Sequence, residues 1–136
     1  MDATEEVFES AARYFSVLSE PARLKILHAI CGDEKSVNSI MVATGMAQAN
    51  ASRHLGLMYQ AGMLSRRREG AQVFYRVSDS LYVELCRTVS AQIEFRMGLD
   101  AARHMFVPHS SAQSGHALDG SHSNSIPFIQ KEPTSV

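Results

Sequence analysis

Polar side chains that can bind DNA are concentrated between residues 48 and 72. Amide, hydroxyl, imidazole and guanidinium groups can form hydrogen bonds with base edges and phosphates, and they occur together at Gln48, Asn50, Ser52, Arg53 and His54. A second group lies around a glycine and consists of Arg66, Arg67, Arg68 and Gln72. Three adjacent arginines beside a tight turn are typical of a loop that binds the DNA backbone. The two groups together indicate a DNA-binding surface.

The distribution of charge supports this interpretation although the net charge is only −1. Residues 1–20 contain five acidic residues and one arginine, whereas residues 21–76 contain eight Lys or Arg against three Asp or Glu. Nucleic-acid binding depends on a local cationic patch rather than on the mean charge of the chain. The positive charge therefore lies where the candidate DNA contacts are.

The spacing of apolar residues predicts about five helices and two strands. We expect helices at 4–18, 21–31, 36–45, 47–62 and about 80–105, and strands at about 63–68 and 72–78. In the fourth helix, Ala51, Leu55 and Met58 are predicted to face inward, while Gln48, Asn50, Arg53 and His54 face outward. Two short helices followed by a basic hairpin predict a winged helix-turn-helix, a mainly α fold with some β structure.

The length of 136 residues indicates one structured domain, which we place at residues 1–107. Residues 108–136 are rich in Ser, Gly and His and are expected to be a disordered tail. The first and last helices carry apolar stripes that one small domain does not readily bury. They predict a homodimer with two-fold symmetry, which matches two DNA half-sites. The alternative is that both helices complete a monomeric core.

The composition argues against several other classes of protein. The acidic N-terminus lacks the layout of a secretory signal, and no apolar run approaches a membrane span, so we expect a cytoplasmic location and no membrane partner. We expect no enzyme activity and no cofactor, because no nucleophile–base arrangement or phosphate loop is present. Ser52, Arg53 and His54 are consecutive on one helix, so their side chains point in different directions.

These features resemble the ArsR/SmtB family of bacterial winged-helix repressors. The similarity is carried by LSEPARLKIL at residues 18–27 and by SVNSIMVATGMAQANASRHLGLMYQAGMLSRRREGAQVFYRVSD at residues 36–79. The resemblance implies a homodimer that binds a double-stranded DNA operator and leaves it when a signal binds. Repression, rather than activation, is implied by the resemblance alone.

The metal sites known in this family are not supported by the residues present. One family site uses a Cys-x-Cys pair on the helix before the DNA-reading helix, which is the fourth predicted helix here. In that region this chain has Val37–Met41, without a thiol. The positions that correspond to the other site are Asp79, Leu81, Gln92 and Phe95, and of these only Asp79 matches. We therefore predict no family-type metal site. The six histidines leave open a metal-responsive repressor with other ligands.

The two cysteines, Cys31 and Cys86, are the remaining candidates for a sensor. One branch of the family senses reactive sulfur through one thiol on the second helix and one on the last helix. This chain has the same distribution but a different register, since the first thiol of that branch corresponds to His28. Three interpretations stay open: redox sensing, a thiolate metal site, and two cysteines that only pack.

The function predicted from the sequence is a dimeric, sequence-specific DNA-binding transcriptional regulator, released from its operator by a signal such as oxidation or persulfidation of Cys31 and Cys86. The alternatives are a repressor that responds to metal through non-family ligands and a winged-helix module that binds protein.

Overall fold

The computed structural model describes residues 2–99 and 105–107, and these contain five helices and a three-stranded antiparallel sheet. The elements in chain order are α1 (Ala3–Leu18), α2 (Pro21–Ile30), β1 (Lys35–Ser36), α3 (Val37–Thr44), α4 (Gln48–Gln60), β2 (Leu64–Glu69), β3 (Gln72–Val77) and α5 (Ser80–Arg96). The predicted winged helix-turn-helix is confirmed. No helix among the described residues is long and apolar enough to cross a membrane.

Side chains cap the N-termini of α3 and α5. Ser36 Oγ accepts a hydrogen bond from Ser39 N at 3.1 Å and caps α3. Asp79 Oδ1 accepts from Leu81 N at 3.0 Å and caps α5. Both side chains satisfy backbone donors that have no partner within the helix. Capping of α5 is therefore a sufficient reason for an aspartate at position 79.

The sheet has one strand more than the sequence predicts. Strands β2 and β3 form the expected hairpin, and Gly70 begins its two-residue loop with a φ of 58°. The additional strand, β1, pairs with the other side of β3 through Lys35 opposite Tyr75 and Ser36 opposite Phe74. A strand of two residues is too short to produce a periodic pattern, so sequence analysis misses it.

The core lies between α2, α3, α4 and the sheet. Its largest fully buried side chains are Ile26, Leu27, Ile30, Ile40, Leu55, Met58 and Met63. The prediction that Ala51, Leu55 and Met58 face inward is confirmed, because all three are completely buried. Burial of this face directs the opposite face of α4 toward solvent.

Two sets of polar contacts attach α1 to the rest of the domain. The Arg23 guanidinium on α2 donates to the carbonyl oxygens of Val17, at 2.6 Å, and Ser16, at 3.2 Å, at the end of α1. The Tyr14 hydroxyl donates to Asp79 Oδ2 at 2.8 Å, which raises the pKa of Tyr14. The Tyr14 ring also stacks on Tyr82 of α5, with centroids 4.6 Å apart. These contacts hold α1 next to the N-terminal half of α5.

The C-terminal part of the chain differs from the prediction. Helix α5 ends at Arg96 rather than near residue 105, and Gly98 follows with a φ of 66°. A left-handed glycine just past the last turn is a common way to end a helix. The predicted tail, residues 108–136, lies outside the described residues.

His54 does not face outward as predicted. Its side chain is 2% exposed, and its Nδ1 atom has no hydrogen-bond partner among the described residues. Burial lowers the pKa of His54, and the nearby Arg53 and Arg23 lower it further. His54 is three residues after Ala51 and four before Met58, so the helical period places it on the buried face.

The burial of His54 predicts a pH-dependent stability. The folded protein binds a proton at His54 less readily than the unfolded chain, whose ordinary pKa is 6.5. The free energy of unfolding should therefore fall as the pH decreases below 6.5, by at most about 1.4 kcal/mol per pH unit for this one proton. Urea unfolding of the wild type and of His54→Gln at several pH values measures this contribution. The variant should show the shallower decrease.

Ser52→Ala provides the control, since it changes an exposed side chain without a titratable group on the same helix. It should leave the pH dependence unchanged. Equal pH dependence in the wild type and His54→Gln would contradict the assignment.

Candidate nucleic-acid interface

The exposed residues at the start of α4 form the first part of the interface. Gln48, Asn50, Ser52 and Arg53 are all exposed in the first two turns of this helix. Helix α3 precedes them, and Gly45 ends α3 in the left-handed region with a φ of 72°, which lets the chain turn sharply into α4. This helix-turn-helix presents the N-terminal end of α4 on the surface, where it can enter a major groove.

A polar groove connects α4 to the wing, which we define as β2, β3 and the loop between them. The groove has a volume of about 270 Å³ and is lined by Gln48 and Ser52 of α4 and by Gln72 at the start of β3. Asn38 of α3 also lines it, which sequence analysis missed. Its exposed amide close to the N-terminus of α3 is a weak signal that could have identified it.

Arg53 is held in place by its neighbours on α4. Its guanidinium donates to Asn50 Oδ1 at 3.1 Å and lies 3.3 Å from His54 Nε2. His54 is therefore not part of the exposed interface, since it is buried beneath Arg53. Asn50 and Arg53 form a single polar pair on the exposed face of α4.

The three wing arginines have different surroundings. Arg66 stacks over the Tyr59 ring, with its Cζ atom 4.0 Å from the ring centroid. The Tyr75 side chain, on the residue opposite Arg66 in the hairpin, is the main cause of the raised pKa of Arg66. Arg68 is exposed and forms no ion pair with any described residue. Alternate residues of a strand point to opposite faces, so Arg66 and Arg68 share one face of β2 and Arg67 lies on the other.

Arg67 is paired with two carboxylates. Its Nε atom lies 2.6 Å from Glu34 Oε1, and its Nη1 atom lies 2.7 Å from Glu69 Oε2. Hydrogen bonds to Glu69 and then to Glu34 raise the pKa of Arg67. The guanidinium also packs on Phe74, 4.5 Å from the ring centroid. Glu34 is 33 residues away in sequence, and no sequence signal identified it as a partner.

The two cysteines lie away from this surface. Cys31 is half-buried at the C-terminus of α2, and its thiol donates to the carbonyl oxygen of His28 at 3.4 Å. Burial raises the pKa of Cys31, although the charges of Arg87 and Lys35 oppose this effect. Cys86 is buried on α5, and burial raises its pKa to about 11. Residues 2–99 and 105–107 contain no cluster of three potential metal ligands.

Comparisons with known proteins agree with this arrangement. Residues 20–66 match the family described as "Bacterial regulatory protein, arsR family". The chain is 32% identical over 77 residues to a probable mercury resistance operon repressor of Streptomyces lividans, covering 57% of this chain and 62% of that protein.

Two solved structures show the same fold. One is the homodimeric winged helix-turn-helix DNA-binding domain of a possible ArsR-family regulator from Mycobacterium bovis, with a TM-score of 0.62 and 28% identity over 71% of this chain and 90% of the other. The other is the transcriptional repressor BigR from Xylella fastidiosa, with a TM-score of 0.62 and 26% identity over 65% of this chain and 91% of the other. Residues 20–66 thus form a domain of the arsR family of bacterial regulatory proteins, and the similar proteins and structures are described as DNA-binding or transcriptional regulators.

Proposed function

We propose that this regulator is a dimeric repressor that binds a two-fold symmetric operator and leaves it in response to a signal. The observation that carries the proposal is the groove in which Gln48 and Ser52 of α4 meet Gln72 of the wing. This groove makes the reading helix and the wing one continuous polar surface. A surface of this kind can contact a major groove and the adjacent DNA backbone together.

The surroundings of each residue suggest different roles in DNA binding. Gln48, Asn50 and Arg53 present amide and guanidinium groups that can form hydrogen bonds with base edges. Arg68 offers a guanidinium without an ion pair among the described residues, which suits a phosphate contact. A phosphate that approaches Arg67 has to compete with Glu34 and Glu69. We therefore assign Arg68 a larger contribution to binding than Arg67.

Substitution of these arginines should separate sequence preference from general affinity. Arg53→Ala should weaken operator binding by about tenfold or more and relax the preference at the contacted base. Arg68→Ala should weaken binding to all DNA and reduce the magnitude of the salt-dependence slope by about one. Fluorescence anisotropy on operator and unrelated DNA, at several salt concentrations, measures both effects.

Arg13→Ala is the matched control, because Arg13 is exposed and bonds to Ser10 on the side of α1 opposite Phe15, away from the apolar face, from α4 and from the wing. It should leave DNA binding unchanged. Full affinity and full specificity in both test variants would contradict the proposed interface.

The dimer interface that we propose is formed by α1 and α5. Both helices leave large apolar side chains uncovered, among them Phe8 and Phe15, exposed by 65% and 61%, and Val89 and Ile93, exposed by 55% and 50%. Removal of apolar surface from water is favourable by about 25 cal/mol for each Å², and in a dimer this gain opposes the entropy cost of association. The homodimeric state of the related Mycobacterium bovis domain supports the same assembly.

A charge in this apolar surface should prevent dimer formation. Phe15→Glu should convert the protein to a monomer at micromolar concentration, because a carboxylate would have to be buried without a partner. Sedimentation velocity measures the change. Val42→Glu is the control, since Val42 is 86% exposed but lies on α3. A dimeric Phe15→Glu protein would contradict the proposed interface.

A thiol signal remains part of the proposal as a hypothesis. It is supported by one cysteine at the end of α2 and one on α5, and by the charges of Arg87 and Lys35 near Cys31. The thiolate is the reactive form of cysteine, and burial raises the pKa of both thiols. The less buried Cys31 should therefore react before Cys86.

Treatment with an organic persulfide, with a metal chelator present, tests the thiol hypothesis. Wild-type protein should lose DNA binding and regain it with a reductant, whereas Cys31→Ser and Cys86→Ser should both keep it. Anisotropy on operator DNA measures the loss. Equal DNA binding before and after treatment of the wild type would leave both cysteines as packing residues.

A further inference from the structure

Phe106 fills a site between α2 and α5. Its side chain is 2% exposed, although the residue lies well beyond the end of α5. Its backbone N–H donates to His28 Nδ1 at 3.0 Å, and its carbonyl oxygen accepts from Arg87 Nη2 at 2.9 Å. The Phe106 ring meets the His28 ring edge-on, with centroids 5.4 Å apart. Phe106 thus inserts its ring between the two helices and presents its carbonyl oxygen to the Arg87 guanidinium.

The backbone of Phe106 has an unfavourable conformation. Its φ is 59°, and it is the only residue other than glycine with a positive φ in the described parts of the chain. The left-handed region disfavours residues that carry a Cβ atom. The ring contacts and the two hydrogen bonds therefore hold Phe106 in place against conformational strain.

Two cavities meet at the Phe106 ring. One has a volume of about 530 Å³ and is lined by Lys25 and Lys35 among others. The other, about 250 Å³, is lined mainly by apolar side chains of α1 and α5, includes Cys86, and shares Phe15, Val89 and Ile93 with the proposed dimer interface. Phe106 lines both cavities together with Leu24 and Ser90. Phe106 therefore lies next to both an apolar space and one that two lysines line.

We propose that this is a ligand-binding site for an aromatic carboxylic acid, and that Phe106 occupies it as an internal substitute. The ligand ring takes the place of the Phe106 ring. A carboxylate oxygen takes the place of the Phe106 carbonyl oxygen on Arg87, and a charged acceptor strengthens that hydrogen bond. None of the described residues that line the two cavities is acidic, and Lys25 and Lys35 add positive charge at the rim.

The location of the site can connect ligand binding to DNA binding. The larger cavity is lined by Ala43 and Thr44 of α3 and by Ser90 of α5. Thr44 Oγ1 donates to the carbonyl oxygen of Ile40 at 2.7 Å and accepts from Met46 N at 3.4 Å, in the turn before α4. A ligand here would contact the helix-turn-helix and α5 at once. This part of the inference depends on the proposed repressor function, since it identifies the class of the signal.

Direct binding of 3-phenylpropionate to the full chain, without DNA, tests the site. The neutral analogue 3-phenylpropanamide has the same ring and should bind about tenfold more weakly, because it lacks the charge that Arg87 recognises. Isothermal titration calorimetry compares the two probes. Arg87→Gln should remove the preference for the acid, and Arg96→Gln, on the last turn of the same helix, should preserve it.

Phe106→Ala should bind 3-phenylpropionate more tightly than the wild type. The apparent dissociation constant of a ligand is its intrinsic value divided by the fraction of protein with an open site, and this variant has no competing ring. Val107→Ala is the control in the same segment, since Val107 is not among the residues that line either cavity. Near-ultraviolet circular dichroism verifies that the variants are folded.

The inference is overturned if neither the wild type nor Phe106→Ala binds the acid, or if acid and amide bind equally well. A second titration, of protein bound to operator DNA, separates this result from the proposed function. Release of DNA by the acid supports both proposals. DNA binding without any acid binding overturns only the ligand site, and acid binding by a chain that never binds DNA overturns only the repressor function.

Discussion

The burial of one face of α4 is the interaction on which the proposed DNA-binding surface depends. Leu55 and Met58 are fully buried against the rest of the core, and this fixes the rotation of the helix about its axis. Each residue of an α-helix is rotated by about 100° from the one before it. Gln48 and Arg53 are therefore placed in solvent by the same packing that places Leu55 inside. The turn at Gly45 leads into α4, and the wing lies beside the exposed face of α4.

Much of the fold could be predicted from local sequence signals. Ser36 and Asp79 are residue types that cap helices, Gly45 can adopt a positive φ, and the apolar spacing of α4 marks its buried face. The prediction was wrong for His54 because the polarity of the residue was given more weight than its position between Ala51 and Met58. The helical period alone places His54 on the buried face of α4.

Other features could not be predicted because they depend on long-range contacts. Three contacts join residues that are far apart in sequence: the ion pair of Arg67 with Glu34, the pairing of β1 with β3, and the insertion of Phe106 beside His28. Nothing in the local composition of either partner identifies the other. The Arg67–Glu34 pair makes the ion pairing of the three wing arginines unequal, although they are consecutive in sequence.

The short strand β1 has a consequence for the kind of DNA that this surface can accept. Ser36 pairs with Phe74 of the wing and also caps α3, so one residue belongs to both the sheet and the helix-turn-helix. Ser36 therefore attaches the wing to α3, the helix that precedes α4. If α4 and the wing bind DNA together as proposed, their attachment would favour DNA of a matching groove width and bend as well as matching bases. Sequences that differ only in stiffness could then be distinguished at positions that no side chain touches.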